Sequence, residues 1–566
     1  MRIQQNNLPS IAILGATGVV GIECLKLLAE RNYPADKISL LASPRSAGKS
    51  IEYLDEKLIV EDTNQDSFNE KNVYNYFSAL ISSKNNQDIK SLNFFNSSKN
   101  LKEIHKEYIK KYIFSLIVNG KINRAVKEIE NLDNKNFLNF FEAQLLLFLN
   151  SLKKKDYESS YIYIKNLKTF SDDGTFELII SSILEEYLYI FKNNQTKNNL
   201  INDFGKLSLI NKTLQSCYLD KSNTKSLFQT LINFEDIANS RYLFFYANYL
   251  LSQNNFKEIT NLSKSIDPLN STLLVSQTKN WIEEKKFEEI ENIFSCKDPD
   301  DIISEFFFVI SNLYSGEGYL SLSNFYFKLS NYFNPKFKFN SSLIAENYLQ
   351  SKDYEKSKNI LYSFNKKNKI YHWYKIKKIT EIIKKDQDSN KALNYLQSEF
   401  NKIKNPSIRM LFDMGNIVKG FKRYNLSIEY YSKVLSQMNN KDLVYAEILY
   451  RRGGSYERIG KTLESDNDLL MSLKINPDEP HVLNYLAYSW LERNYNIDQA
   501  MIMLEKAYEQ RKNDPYIIDS IGWAYYLTGN YIRAEKLLKR AVEIMPTDPI
   551  VNDHYGDILW KLGRKI

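Results

Sequence analysis

The sequence predicts a mainly α-helical chain: an α-solenoid of helix–turn–helix repeats preceded by a small, incomplete strand–helix–strand segment. Three observations predict it. Small residues recur on a 34-residue beat, with Gly453, Ala487, Gly522 and Gly556 spaced 34, 35 and 34 apart. Gly (18) and Pro (12) are few for 566 residues, which suits long helical stretches. Only near the start do short apolar runs bracket a glycine-rich loop. A chain of 566 residues is too long for one core, so stacked or separate units are expected.

The N-terminal elements come first. Ile11–Leu14 is a short apolar run of the kind a buried parallel strand uses. Gly15-Ala16-Thr17-Gly18-Val19-Val20-Gly21 follows at once, and Ile22, Leu25, Leu28 and Ala29 then fall at helical spacing. Asn32-Tyr33-Pro34 ends that helix, and Ile38–Ala42 reads as a second strand. Glycines in such a loop let the backbone approach a pyrophosphate, and the helix N-terminus offers it free N–H groups. Arg45, just past the second strand, is placed for a ribose 2′-phosphate, which favours NADP over NAD.

These residues, with Glu30–Ile51 and Val60–Phe68, resemble the start of aspartate-semialdehyde dehydrogenase. The resemblance implies that Gly15, Thr17, Gly18, Val19, Val20 and Gly21 line the phosphates of NADP, and that Arg45 and Ser46 hold the 2′-phosphate. It also implies a nucleophilic Cys in an Asn-Cys-x-Thr stretch, with a Gln, a substrate-binding Arg and a His base. No such stretch surrounds Cys217 or Cys296, and Cys24 falls in the first helix, where a small buried residue is expected. No complete enzyme is expected and no cofactor is required. The alternative reading is an NAD(P)-binding protein of the semialdehyde dehydrogenase type.

The repeats follow. In 516–546, Gly522 is succeeded by Tyr525, Gly529, Tyr531, Ala534, Leu538, Ala541 and Pro546. This pattern resembles the tetratricopeptide (TPR) repeat, in which small residues sit where two helices cross. Fainter copies run backwards: Gly415 with Tyr424, Ser427 and Tyr431; Ala345 with Tyr354 and Ser357; Ser311 with Gly318, Ser323 and Phe327. Residues 74–95 fit a first helix pair. The expected division is 1–68 for the truncated nucleotide-type segment, 69–74 for the junction, 75–405 for degenerate repeats and 406–566 for clear ones.

The TPR resemblance implies a superhelix whose concave surface is lined by the first helix of each repeat, and it implies a scaffold rather than a chemistry. Counting Pro515 as position 1, positions 2, 5, 9 and 12 carry Tyr516, Asp519, Trp523 and Tyr526. The preceding repeat adds Asn484 and Tyr488, and the next adds Asp553 and Asp557. This aromatic and acidic strip suits a protein partner, as an extended peptide or basic helix, better than nucleic acid. The Lys/Asn/Arg clamp for acidic C-terminal peptides is absent from these repeats.

Composition sets the remaining expectations. The net charge of +8 is a weak bias at this length, with basic residues alternating with Asp and Glu, so a solvated helical surface is expected. Three cysteines without a CxxC argue against a disulfide framework or zinc site and suit a reducing compartment. Four scattered His give no metal constellation. No apolar run reaches transmembrane length, and 11–21 lacks the flanks of a signal peptide, so a cytoplasmic protein is expected.

Overall fold

The structure, a computed structural model, describes residues 10–31, 33–35, 37–54, 56–62, 71–85, 87–103, 105–170, 175–196, 203–233, 241–440 and 442–564. Residues 63–68 and 69–70, which close the expected N-terminal segment and open its junction, lie outside these.

The N-terminal segment contains β1 (Ser10–Leu14), α1 (Val19–Glu30), β2 (Lys37–Ala42), β3 (Ser50–Tyr53) and β4 (Glu56–Asp62). The sheet order is β1-β2-β4-β3, with β1, β2 and β4 parallel and β3 antiparallel to β4. The sequence reading counted two strands; β3 and β4 add a hairpin that turns at Leu54, whose φ is +47°. Ile13, Ala16, Leu25, Leu40, Ala42 and Val60 make the core of this segment. Cys24, expected to be buried, is exposed. The helix spacing puts Leu25 on the sheet-facing side, and its neighbour turns outward.

Helices fill the rest. Among the described residues there are 29 with α1 included, and the chain divides into two compact units: Met1–Ile259 with Glu284–Ile360, and Thr260–Glu283 with Leu361–Ile566. One rule phases the repeats in both. A residue with positive φ, which closes the turn within a helix pair, follows seven places after the helix-crossing residue. Gly415 and Lys422, Gly453 and Gly460, Ala487 and Asn494, and Gly522 and Gly529 obey it in the second unit. Ala247 and Asn254, Ser311 and Gly318, and Ala345 and Lys352 obey it in the first.

The contacts between paired helices are not uniform in chemistry. In the second unit, a Cβ on Gly522 would stand 2.9 Å from Leu538, and one on Gly415 would stand 2.6 Å from the Tyr431 ring. In the first, Ala247 and Ala345 keep a small apolar crossing, whereas hydroxyls join other helix pairs. Ser311 Oγ donates to the Ser323 carbonyl at 2.7 Å, and Ser151 bonds Ser160 at 2.8 Å. All four are buried, so each hydroxyl needs such a partner.

The first unit also buries an ion pair. Arg241 donates to both Glu305 oxygens, at 2.8 and 2.7 Å, and stacks over Phe308 at 4.0 Å. Burial pushes the Glu305 carboxyl up, against the pull of Arg241.

Cys217 and Cys296 form a disulfide 79 residues apart in sequence, with Cα atoms 5.9 Å apart. This corrects the expectation of no disulfide and, with it, the argument for a reducing compartment. No local spacing could announce the bond. Tertiary packing brings the end of Lys206–Tyr218 beside the loop before Pro299–Gly316, and Lys297 ties them further by donating to the Cys217 and Tyr218 carbonyls at 2.8 and 3.0 Å. Among the described residues no helix is long and apolar enough to cross a membrane.

Candidate functional site

Two places collect the residues that the sequence singled out. The first is the carboxyl edge of β1 and β2. Gly15 turns away from β1 with φ +73°, and its N–H donates to the Leu41 carbonyl at 2.8 Å, which fixes the loop against β2. Gly18 N–H closes the turn onto the Gly15 carbonyl at 2.9 Å. At Gly21 any Cβ would stand 2.5 Å from the Gly15 oxygen, so α1 can lie this close to the loop only with glycine there. The helix starts at Val19, three residues before the first apolar position used to read it, because Gly18 is its N-cap. No side chain caps it, leaving first-turn N–H groups for an anion.

Thr17 lies in this loop, while Val19 and Val20 are 87% and 83% exposed on the outer face. Arg45 and Ser46 occupy the turn after β2, with Arg45 exposed, and register pairs Leu14 with Leu41. The two loops therefore share one sheet edge. The glycine turn and the uncapped start of α1 leave backbone N–H groups for phosphate oxygens, so the residues present suit the phosphate end of a dinucleotide. In the described sheet β1 pairs on one side alone, with β2. The crevice of such folds opens where strand order reverses about β1.

The second place lies on three helices of the second unit: Pro480–Glu492, Pro515–Leu527 and Pro549–Lys561. Each has Pro at its first turn, and Asp514 and Asp548 cap the latter two. The last helix thus begins four residues before Asp553.

A cavity of about 650 Å³ is lined by Asn484, Tyr488, Tyr516 and Asp519, together with Glu457, Glu492, Arg458, Arg493 and others. Asp519 is buried, and its Oδ2 lies 2.9 Å from His554 Nδ1. His554 stacks on Trp523 with ring centres 4.1 Å apart, and Trp523 stacks on Tyr526 at 4.7 Å. The Trp523 indole N–H donates to Glu492 at 2.9 Å. Burial, then Glu492 and Asp519, push the Tyr488 phenol up to about 12, a sign of negative potential along this wall. Arg493 is held by both Asp466 oxygens, at 2.8 and 3.0 Å. Asp553 and Asp557 are exposed on the last helix and do not line the cavity.

Comparison with known proteins separates the same two regions. Residues 10–94 match the family model for the semialdehyde dehydrogenase NAD-binding domain. Aspartate-semialdehyde dehydrogenase of a Synechocystis species is 55% identical over 58 residues, which are 10% of this chain and 17% of that protein. The TPR repeat-containing protein PA4667 of Pseudomonas aeruginosa is 32% identical over 110 residues, which are 19% of this chain and 18% of that one. The chain spans less than a fifth of the length of either relative. A chain from the APC/C hetero-tetramer Cut9–Hcn1 aligns over 87% of this one and 97% of its own length, with 12% identity and a TM-score of 0.31, too distant to argue from.

The chain joins a semialdehyde dehydrogenase-like start to TPR repeats. The dehydrogenase match runs past β4 into helices Lys71–Lys84 and Asp88–Ser97. These two pack together, with Ser91 Oγ donating to the Ala79 carbonyl at 2.8 Å, and the Tyr76 ring lies 5.7 Å from Tyr108 of the following helix. They are the helix pair expected over 74–95.

In the TPR site, sequence reasoning missed His554 and Glu492. His554 holds position 6 and Glu492 position 13, outside the positions read as groove-facing. The signal for both was the aromatic Trp523, whose indole needs a ring partner and an acceptor when half-buried. Among the described residues no group of three or more His, Cys, Asp or Glu could hold a metal.

Proposed function

We propose that this chain is a non-catalytic scaffold that binds a protein partner, as an extended peptide, along the first helices of its last TPR pairs. The observation that carries this reading is the continuous wall of Asn484, Tyr488, Tyr516 and Asp519 around one cavity, flanked by the stack of Tyr526, Trp523 and His554. Asp553 and Asp557, exposed on the last helix outside the cavity, would add acidic groups for a longer peptide. Partly exposed tyrosine and tryptophan faces of this kind are the anchors that dominate protein interfaces, and the acidic wall suits a peptide better than nucleic acid. In this reading 1–68 is a nucleotide-type vestige, 69–74 a junction, 75–405 a stretch of degenerate repeats and 406–566 the binding array. A photo-crosslinker placed at Tyr516 tests it. One discrete adduct that disappears in Trp523→Ala is expected, and an adduct pattern untouched by Trp523→Ala counts against the groove.

The geometry of Gly15 and Gly21 favours a second reading for the N-terminal segment alone. Gly15 through Gly21 would hold the phosphates of NADP, and Arg45 and Ser46 its 2′-phosphate. A bound nicotinamide would supply hydride chemistry. Whole-chain catalysis is not part of the proposal, since two of the three cysteines are joined to each other and Cys24 lies on α1. Calorimetry with NADP on the full chain and on Arg45→Ala decides: saturable heat lost in the variant supports binding, and absence of heat in both removes it.

Location is proposed on the same footing. The sequence favours the cytoplasm, whereas the Cys217–Cys296 bond argues for an oxidising compartment. Thiol titration of denatured protein isolated under alkylation separates them, since one reactive thiol means the bond persists and three mean it does not.

A further inference from the structure

Two residues that line this cavity each carry a buried oxygen with no donor: Asp519 Oδ1 and Asn484 Oδ1. Asp519 is 5% exposed. Its other oxygen is fixed by His554 Nδ1, and His554 is itself buried and clamped on Trp523. The carboxylate is therefore held in place with one acceptor pointing to nothing in the protein. Buried acceptors are nearly always satisfied, and an orphan of this kind asks for a partner. Asn484 repeats the situation one repeat earlier. Both residues hold position 5 of successive repeats and line the same cavity.

The surroundings select the donor. Glu457 and Glu492 share the wall, and Tyr485 donates its hydroxyl to Glu457 at 3.0 Å. The lining arginines are already engaged, Arg493 by Asp466 and Arg458 by Glu457 at 3.5 Å. What remains is a pair of acceptors on neighbouring helices beside flat tyrosine faces. A planar cation with several fixed donors meets both needs, whereas an ammonium offers a point charge that stacks poorly.

We propose that the cavity is a receptor for an arginine side chain of the bound peptide, its guanidinium donating to Asp519 Oδ1 and Asn484 Oδ1 with its plane against Tyr488. This inference rests on the scaffold reading above and names the partner's chemistry.

The test uses the full chain and fluorescein-labelled nonapeptides of Gly, Ser and Ala with one central Arg, citrulline, Lys or Glu, read by fluorescence anisotropy. Citrulline keeps the shape of arginine and removes its charge. The Arg peptide is expected to bind about 10-fold more tightly than the citrulline peptide, as charge-assisted pairs do. Asp519→Asn should abolish that preference. Asn484→Leu, which leaves the Asp519–His554 pair intact, should weaken Arg binding about 3-fold. Circular dichroism on each variant checks that the helices persist.

Equal binding of Arg and citrulline peptides overturns the inference, as does Arg binding unchanged in both variants. Equal binding of Lys and Arg peptides overturns the guanidinium assignment. Binding of all four peptides that Trp523→Ala removes without preference leaves the scaffold reading standing and the arginine inference fallen. Silence from all four overturns both.

Discussion

Lys422 holds φ +58° in the turn where Gly529 sits at +82° in a later repeat. An L-residue in this conformation costs roughly 1 kcal/mol, partly offset by the smaller entropy it loses on folding compared with glycine. Lys422→Gly should therefore stabilise by about 0.5 kcal/mol, read as a raised urea midpoint, and Gly529→Lys should destabilise by a similar amount or more. A second residue-scale prediction concerns Asp301, whose carboxyl is pushed up to about 6 by burial and by Asp298 and Asp300, against a 2.8 Å bond from the Ser295 N–H. The folded state binds this proton more tightly than the unfolded chain, so its contribution to stability falls as pH rises from about 4 to 6. Asp301→Asn keeps an acceptor for Ser295 and should flatten that part of the melting-temperature profile. Single residues were the least legible scale. Lys422 and Asn494 stand in positive-φ turns without announcing it, and Asp301 looks in sequence like any helix-start acid.

At the scale of elements, the crossing residues make a matched pair of predictions. Gly522→Ala forces a methyl to 2.9 Å from Leu538 and should destabilise by about 1–3 kcal/mol. Gly556 occupies the same repeat position, but nothing lies within 4 Å of the Cβ it lacks. Gly556→Ala should instead stabilise its helix by up to about 1 kcal/mol, read as a raised midpoint. Elements were legible where the crossing is small against large, as at Gly522 and Leu538. They faded where Ser311 meets Ser323 by hydrogen bond, because a serine pair leaves no mark in a hydrophobic pattern. The β3–β4 hairpin escaped notice for a related reason: it is half exposed, and Leu54 rather than glycine makes its turn. Repeat position alone puts Asn484, Tyr488, Tyr516 and Asp519 on the first helices of their pairs, and all four line one cavity. His554 was not legible, since its role depends on Trp523 and Asp519 arriving from another repeat.

At the scale of the whole molecule, an ideal repeat array is held only by contacts between neighbours, and the Cys217–Cys296 bond departs from that plan. Closing a loop of this size constrains the unfolded chain by about 4.5 kcal/mol on the chain-entropy estimate. Reduction by dithiothreitol should lower the melting temperature, and Cys217→Ser should show the lower value without reductant. Equal melting in both conditions would remove the bond from the account of stability.

The same bond decides how the protein answers a pull. Tension applied through the two ends would run straight across the sulfur bridge and bypass the loop between cysteines 79 positions apart. At about 3.4 Å per extended residue, that hides roughly 270 Å of contour length from the force. Residues 260–283, which pack in the second unit, lie inside this shielded ring. In an optical trap, the oxidised chain would stop short by that length, and a reducing pulse would release it in a single step.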